Sequence, residues 1–166
     1  SGLRMNHAYV RPGGLAQDVP LGFTDFVRSV MPNIKNDVGE LEALLMENPI
    51  LKSRFVGVGE ISLAAAMAMG LTGPCARAAG YPLDMRRIRP YCGYETYDFD
   101  IPVYHRSDCY NRLAVRFDEC YQSLKIVSQC VDRLDEIAER GDDPSNTTMV
   151  ADPTIAWPAR MAIATD

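Results

Sequence analysis

Few residues in this chain are equipped for chemistry. Two histidines occur, His7 and His105. His7 sits in RMNHAYVRPGG, where Arg4, His7 and Arg11 recur at steps of three and four. On a helix such steps place all three side chains on one face. Imidazole can change charge near neutral pH, although a lone histidine beside arginine is most often a satisfied structural group. A second cluster is DMRRIRPYCGYETY, residues 84–97, in which Arg86, Arg87 and Arg89 alternate with apolar and aromatic residues. A basic and aromatic mixture can stack on nucleic acid. In an acidic chain the simpler reading is a set of ion pairs that pins an irregular segment, with Asp84, Glu95, Asp98 and Asp100 as the carboxylates. Asp98 and Asp100 would share one side of an extended segment and could form an acid–base pair, but no partner group supports one.

The glycine-rich stretch LTGPCARAAG, residues 71–80, lacks the Gly-Lys-Ser/Thr of a phosphate-binding loop and follows no clear strand. It reads as a backbone turn needing close approach, with Gly73 and Gly80 at its ends. No HExxH, nucleophile elbow or GxGxxG motif is present. The five cysteines, at 75, 92, 109, 120 and 130, include no CxxC pair. Cys120 and Cys130 read as small core hydrophobes. No metal, flavin or nicotinamide is therefore expected to be bound by this chain itself.

These residues need elements to position them, and the dominant one runs from Ser107 to Gly141. Apolar residues at Leu113, Phe117, Cys120, Tyr121, Leu124, Val127, Val131, Leu134 and Ala138 follow helical spacing. Ser107 or Asp108 can cap the start and Gly141 the end, giving a helix of about Asp108–Arg140. Arg112, Arg116, Lys125, Asp132, Arg133, Asp135, Glu136 and Glu139 read as its solvated face. Upstream, Arg4 to Gly14 reads as the last turns of a helix ended by Pro12-Gly13-Gly14. Thr24 can cap a helix from Asp25 to Val30, and Pro32 can start another that runs to Glu47. A short helix is expected over Ile50–Phe55, an extended piece over Val56–Ile61, and a Ser62-capped helix over Leu63–Met69 closed by Gly70. Asp98 to Val103 should be extended, and residues 141–166 form a polar, loop-rich tail with a short strand at Met149–Asp152. The fold class is mainly α with little sheet, in a single domain over 1–166.

Composition agrees with a globular protein: 47% hydrophobic and 23% charged residues, with a net charge of −5 that argues against nucleic acid as a partner. No run of 18 apolar residues occurs, so no helical membrane span is expected. The odd cysteine count without a secretory signal suggests a reducing compartment. The start at Ser-Gly-Leu-Arg suggests a piece of a longer polypeptide.

RMNHAYVRPGG, ENPILKSR, GLTGPCARAAGYPLDMRRIRPYCGYETYDFDIPV and DCYNRLAVRFDECYQSLKIVSQCVDRL occur in that order. Together they resemble the 49 kDa (D) subunit family of NADH:quinone oxidoreductase, respiratory complex I. MVADPTIAWPA is similar to the bacterial branch of that family. The combined RxxHxxYxRPGG and TGPxxRxxG…DxRRxxPYxxY pattern carries the likeness, with Cys75 and Ala79 as departures in the loop. The resemblance implies the fold of the nickel–iron hydrogenase large subunit, built around a bundle of long helices, without its metal-binding CxxC pairs. It also implies a peripheral-arm subunit on the cytoplasmic face of the bacterial membrane. That subunit packs against the one holding the terminal iron–sulfur cluster and helps form the quinone cavity. NADH, quinone and the clusters then belong to the complex, the clusters on partner subunits. The quinone-binding His and Tyr of the family lie upstream of the matched region. His7 matches a histidine near the terminal cluster that couples its proton to cluster reduction, flanked by Arg4 and Arg11. Gly73, Arg77, Gly80, Asp84, Arg86 and Arg87 are the implied structural loop. The alternative is a scaffold segment of a related membrane-bound hydrogenase-type complex with no redox role.

Overall fold

The computed structural model describes residues 5, 9–11, 14–16 and 19–140. Arg4, His7 and the 141–166 tail, with its expected strand at 149–152, lie outside the described residues. The chain divides into two compact units, Thr24–Arg133 and Ser1–Phe23 together with Leu134–Asp166.

In the second of these, β1 (Val10–Arg11) pairs antiparallel with β2 (Gly14–Leu15), in the register Val10 to Leu15 and Arg11 to Gly14. The Ala16 N–H adds a bond of 2.7 Å to the Tyr9 carbonyl. This corrects the expected helix end at residues 10–14. Residues 10–11 and 14–15 pair as extended backbone where the sequence predicts the last turn of a helix.

Helices dominate residues 24–133. Helix α1 (Phe23–Met46) runs unbroken through Pro32, where the sequence predicts two helices. An internal proline removes one backbone bond and crowds the carbonyl four residues back, at about 3 kcal/mol. Contacts on the long helix further along α1 offset that cost. The Tyr110 hydroxyl donates to the Met46 carbonyl (3.0 Å), and the Tyr121 hydroxyl to Glu42 Oε2 (2.6 Å). Helix α2 (Pro49–Phe55) starts as expected, because Asn48 Oδ1 accepts from the Ile50 and Leu51 N–H groups. Helix α3 (Leu63–Ala68) is capped by Ser62, whose hydroxyl oxygen accepts from the Ala65 N–H at 3.2 Å.

The glycine-rich stretch is not simply a turn. It contains helix α4 (Gly73–Ala78), which packs on α3. The alanines explain both features: they favour helix, and Ala66, Ala76, Ala78 and Ala79 are buried, so the backbones approach closely. A short helix α5 (Met85–Ile88) and a 3₁₀ turn (Tyr94–Thr96) follow. The longest element, α6 (Cys109–Arg140), has 32 residues, close to the predicted bounds. Asp108 caps it, Oδ1 accepting from the Asn111 N–H at 2.8 Å. Oδ2 of the same carboxylate accepts from the Gly57 N–H at 2.8 Å, which ties the cap to the 56–61 segment. There Ile61 forms an antiparallel bridge with Ser107.

The buried face of α6 is centred on Ala114, Val115, Phe117, Ile126 and Val131. It is displaced from the predicted stripe: Phe117 and Val131 belong to both, whereas Cys120 and Val127 are exposed. Small Ala114 is easily overlooked in a search for large apolar residues, yet it is buried. Among the described residues no further sheet forms.

Candidate functional site

The best-defined constellation lies between α4, α5 and α6, where five of the sequence-selected residues meet. Arg77, in the last turn of α4, is 8% exposed. Its Nε and a terminal nitrogen both donate to Glu119 Oε1 on α6. Its Nη1 donates to the Leu83 carbonyl at 2.9 Å, and its own carbonyl accepts from the Tyr104 N–H at 2.9 Å. One side chain thus ties α4 to α6 and to the chain leading into α5.

Asp84 is buried and caps α5, accepting from the Arg86 N–H at 2.9 Å. The Arg86 guanidinium lies along the same carboxylate, with Nε 3.0 Å from Oδ1 and Nη2 2.6 Å from Oδ2. That pairing holds the Asp84 carboxyl below the usual range against the opposing effect of burial, and it raises Arg86 in turn. The guanidinium groups of Arg86 and Arg87 stand 4.7 and 4.1 Å from the centre of the Phe99 ring. Arg87 also donates to the Phe99 carbonyl. Phe99 is 2% exposed, and burying such a ring contributes about 1.5–3 kcal/mol.

Two glycines of the 71–80 stretch have left-handed backbone. Gly80 has φ +100°, and a Cβ there would lie 3.5 Å from both His105 Nδ1 and the Tyr104 carbonyl oxygen. Gly73 opens α4 with φ +65°, a conformation side chains resist.

Helix α6 supplies a row of side chains that sequence reading assigned to solvent or passed over. Gln129 pairs like a strand with the backbone of Asp98: Oε1 accepts from its N–H (2.8 Å) and Nε2 donates to its carbonyl (2.7 Å). Gln122 Oε1 accepts from the Asp100 N–H at 2.9 Å, and Lys125 lies 2.7 Å from the Asp98 carboxylate. Arg133 donates to the Thr96 carbonyl at 2.9 Å and covers the Tyr97 ring at 3.9 Å. Residues 122, 125, 129 and 133 share a helix face by their steps of three, four and four. That spacing, beside a predicted extended segment, is the signal that could have revealed them. Arg112 also leaves the predicted solvated set, whereas Asp132 stays largely exposed. Arg112 donates to the carbonyls of Ser107 and Gly59, and Asp132 accepts from Arg28 at 2.9 Å.

At the end of this row, the Tyr104 hydroxyl donates to Asp118 Oδ2 at 2.8 Å, and burial together with that bond pushes its pKa up to about 12. The Asp98–Asp100 acid–base reading gains no support, because the Asp98 carboxylate is engaged by Lys125.

Chemically this arrangement is a lock. Arg77, Arg86 and Arg87 each have protein partners, and Arg77 and Arg86 are matched to Glu119 and Asp84. Among the described residues no group of three or more His, Cys, Asp or Glu side chains could hold a metal ion. Of the His7 cluster only Arg11 is described, at the end of β1.

A family model described as respiratory-chain NADH dehydrogenase, 49 Kd subunit, matches residues 1–166. The chain belongs to that family. Over all 166 residues it is 49% identical to a D subunit of NADH-quinone oxidoreductase from Streptomyces avermitilis, covering 35% of that protein. It is 48% identical to a D subunit of the same oxidoreductase from Streptomyces coelicolor and 47% identical to that of Acidothermus cellulolyticus, covering 36% of each. The chain thus spans about a third of the length of the curated relatives it matches. In this member of the 49 Kd family, the TGPxxRxxG and DxRR positions are those that build the lock between α4, α5 and α6.

Proposed function

We propose that this chain forms part of the quinone-reducing, peripheral-arm subunit of a proton-translocating NADH:quinone oxidoreductase. In that complex, electrons pass from NADH through iron–sulfur clusters on partner subunits to quinone. The observation that carries the reading is the family match over the whole chain, joined to relatives at 47–49% identity that are named as D subunits of NADH-quinone oxidoreductase. The helical architecture suits the hydrogenase large-subunit type of fold that the resemblance implies. None of the described helices is long and apolar enough to cross a membrane, which suits a peripheral subunit on the cytoplasmic face. No hydrogenase name occurs among these relatives, so the alternative scaffold reading gains no observation of its own.

Within this proposal the Arg77–Glu119 and Asp84–Arg86 pairs position the backbone between α4 and α6 and do not exchange electrons. They hold the 84–103 segment rigid, which a wall of a quinone cavity requires. In this reading His7, with Arg4 and Arg11, carries the redox-linked proton beside the terminal cluster of the partner subunit, a role the family resemblance implies. Deleting the gene in its host tests the proposal. Membranes should lose NADH:quinone reductase activity and regain it on complementation. Unchanged activity in the deletion strain would refute it.

A further inference from the structure

Tyrosine recurs every third residue at 91, 94 and 97. The backbone turns with the same period: the Tyr94 N–H donates to the Tyr91 carbonyl at 3.1 Å and the Tyr97 N–H to the Tyr94 carbonyl at 3.3 Å. Side chains three apart on a 3₁₀ turn eclipse. The rings therefore form an edge-to-face ladder, with centres 5.1 Å apart from Tyr91 to Tyr94 and 6.1 Å apart from Tyr94 to Tyr97. Packing explains the rings but not the hydroxyls. Among the described residues neither the Tyr91 nor the Tyr94 hydroxyl bonds to a protein group, and neither is sealed from water. A phenol can do what a phenyl ring cannot: lose an electron and a proton to an oxygen-derived radical.

The surroundings give the ladder a direction. Cation–π attraction stabilises the electron-rich ring of the reduced phenol and weakens once an electron leaves. The Arg133 guanidinium stands 3.9 Å from the centre of the Tyr97 ring, and Arg86 stands 5.7 Å from that of Tyr94. Among the described residues no guanidinium covers Tyr91, which is 53% exposed. Oxidation therefore becomes easier from Tyr97 through Tyr94 to Tyr91. Phe99, 6.3 Å from Tyr94, is not an oxidisable phenol and lies under both Arg86 and Arg87, which closes the route into the core. At the inner end the half-buried Cys130 thiol meets the Tyr97 hydroxyl, and that contact, with burial, raises the tyrosine pKa.

We infer that Tyr97, Tyr94 and Tyr91 form a radical relay, which carries an oxidising equivalent from Cys130 outward to Tyr91. An oxygen-centred radical takes the thiol hydrogen of Cys130 and leaves a thiyl. The thiyl takes the phenolic hydrogen of Tyr97, which restores the thiol. The Tyr97 phenoxyl gains an electron from Tyr94 and a proton from water, while Tyr94 loses its proton to water. The same exchange moves the radical to Tyr91. There a small soluble thiol donates a hydrogen atom, restores the phenol and leaves as its own thiyl. The relay spares Cys130 from oxidation to sulfinic acid, which is not reversed.

The test exposes the assembled complex, without NADH, to peroxyl radicals from an azo initiator in the presence of a nitrone spin trap. Adducts and cysteine oxidation are then mapped by peptide mass spectrometry. The wild type should carry its adduct mainly at Tyr91. Tyr94→Phe keeps the ring and breaks the relay, so the Tyr91 adduct should fall several-fold, while the Tyr97 adduct and Cys130 sulfinic acid rise several-fold. Cys130→Ala should also lower the Tyr91 adduct. Tyr94→Trp restores an oxidisable ring and should recover the wild-type pattern. A Tyr91 adduct indifferent to Tyr94→Phe or to Cys130→Ala would mean direct attack from solvent and would overturn the relay. A Tyr94→Trp pattern matching that of Tyr94→Phe would overturn it too, by tracing the effect to lost packing. NADH:quinone activity of the same preparation reports separately on the functional reading.

Discussion

Replacing Arg77 by methionine tests whether the α4–α6 lock holds this part of the fold together. Methionine fills most of the volume but cannot donate. Glu119 would keep a carboxylate with a side chain only 22% exposed and no cation, and the Leu83 carbonyl would lose its donor. Breaking a buried pair from one side costs about 3–5 kcal/mol, and the extra lost bond about 1. Against a domain stability of about 5–15 kcal/mol, the single variant should sit near the edge of folding. Glu119→Met should be comparably damaging, because it strands a guanidinium that is 10% exposed. Removing both charges leaves no orphan, so the double variant should be much milder than the sum of the two. Urea unfolding followed by circular dichroism, run as a double-mutant cycle, measures the coupling, expected at about 2–3 kcal/mol. A coupling below about 0.5 kcal/mol would show that the pair is incidental and the lock lies elsewhere.

Asp84→Asn keeps the helix-capping oxygen and removes the charge. The folded Asp84 pKa lies below its ordinary 3.8, so its stabilising effect is present above that value and lost as pH falls through the folded pKa. The variant should therefore show a flatter loss of stability on acidification below about pH 5, measured by thermal melts at a series of pH values. For Tyr104 the sign is reversed. Its folded pKa of about 12 exceeds the ordinary 10.0, so stability present below pH 10 declines as pH rises toward 12. Tyr104→Phe should remove that alkaline loss and cost about 1 kcal/mol at neutral pH, both read from denaturant midpoints. In the assembled complex, His7→Met should flatten the pH dependence of the terminal cluster's midpoint potential. Reduction adds negative charge and favours imidazolium, so the wild-type potential should fall as pH rises. A redox titration at several pH values checks this, and an unchanged slope in the variant would leave His7 a packing residue.

Periodic and punctuated features of the fold could be read directly. The long helix and its Asp108 cap were legible because 30 residues of helical spacing follow a good capping residue. The Ser62 cap was legible for the same local reason. What escaped was decided by tertiary contact. Pro32 looks like a boundary, but α1 continues because its later turns are held on α6. The 71–80 stretch looks like a loop, but its alanines make a helix once there is a surface to bury them. In the candidate site, the clustering of Arg86 with Asp84 followed from proximity in sequence. Arg77 with Glu119 did not, since the partners are 42 residues apart. The row of Gln122, Lys125, Gln129 and Arg133 was hidden because polar residues on a long helix ordinarily face water. Here Gln122, Gln129 and Arg133 complete the backbone bonds of a segment that has no neighbouring strand, and Lys125 pairs with the Asp98 carboxylate.

The most direct measurement is to isolate the assembly from host membranes through an affinity tag on this polypeptide and assay it with NADH and a short-chain quinone. The account predicts a multi-subunit complex that carries iron–sulfur clusters on other chains and reduces quinone at the expense of NADH. Recovery of the polypeptide without that activity, in an assembly lacking NADH oxidation, would contradict it.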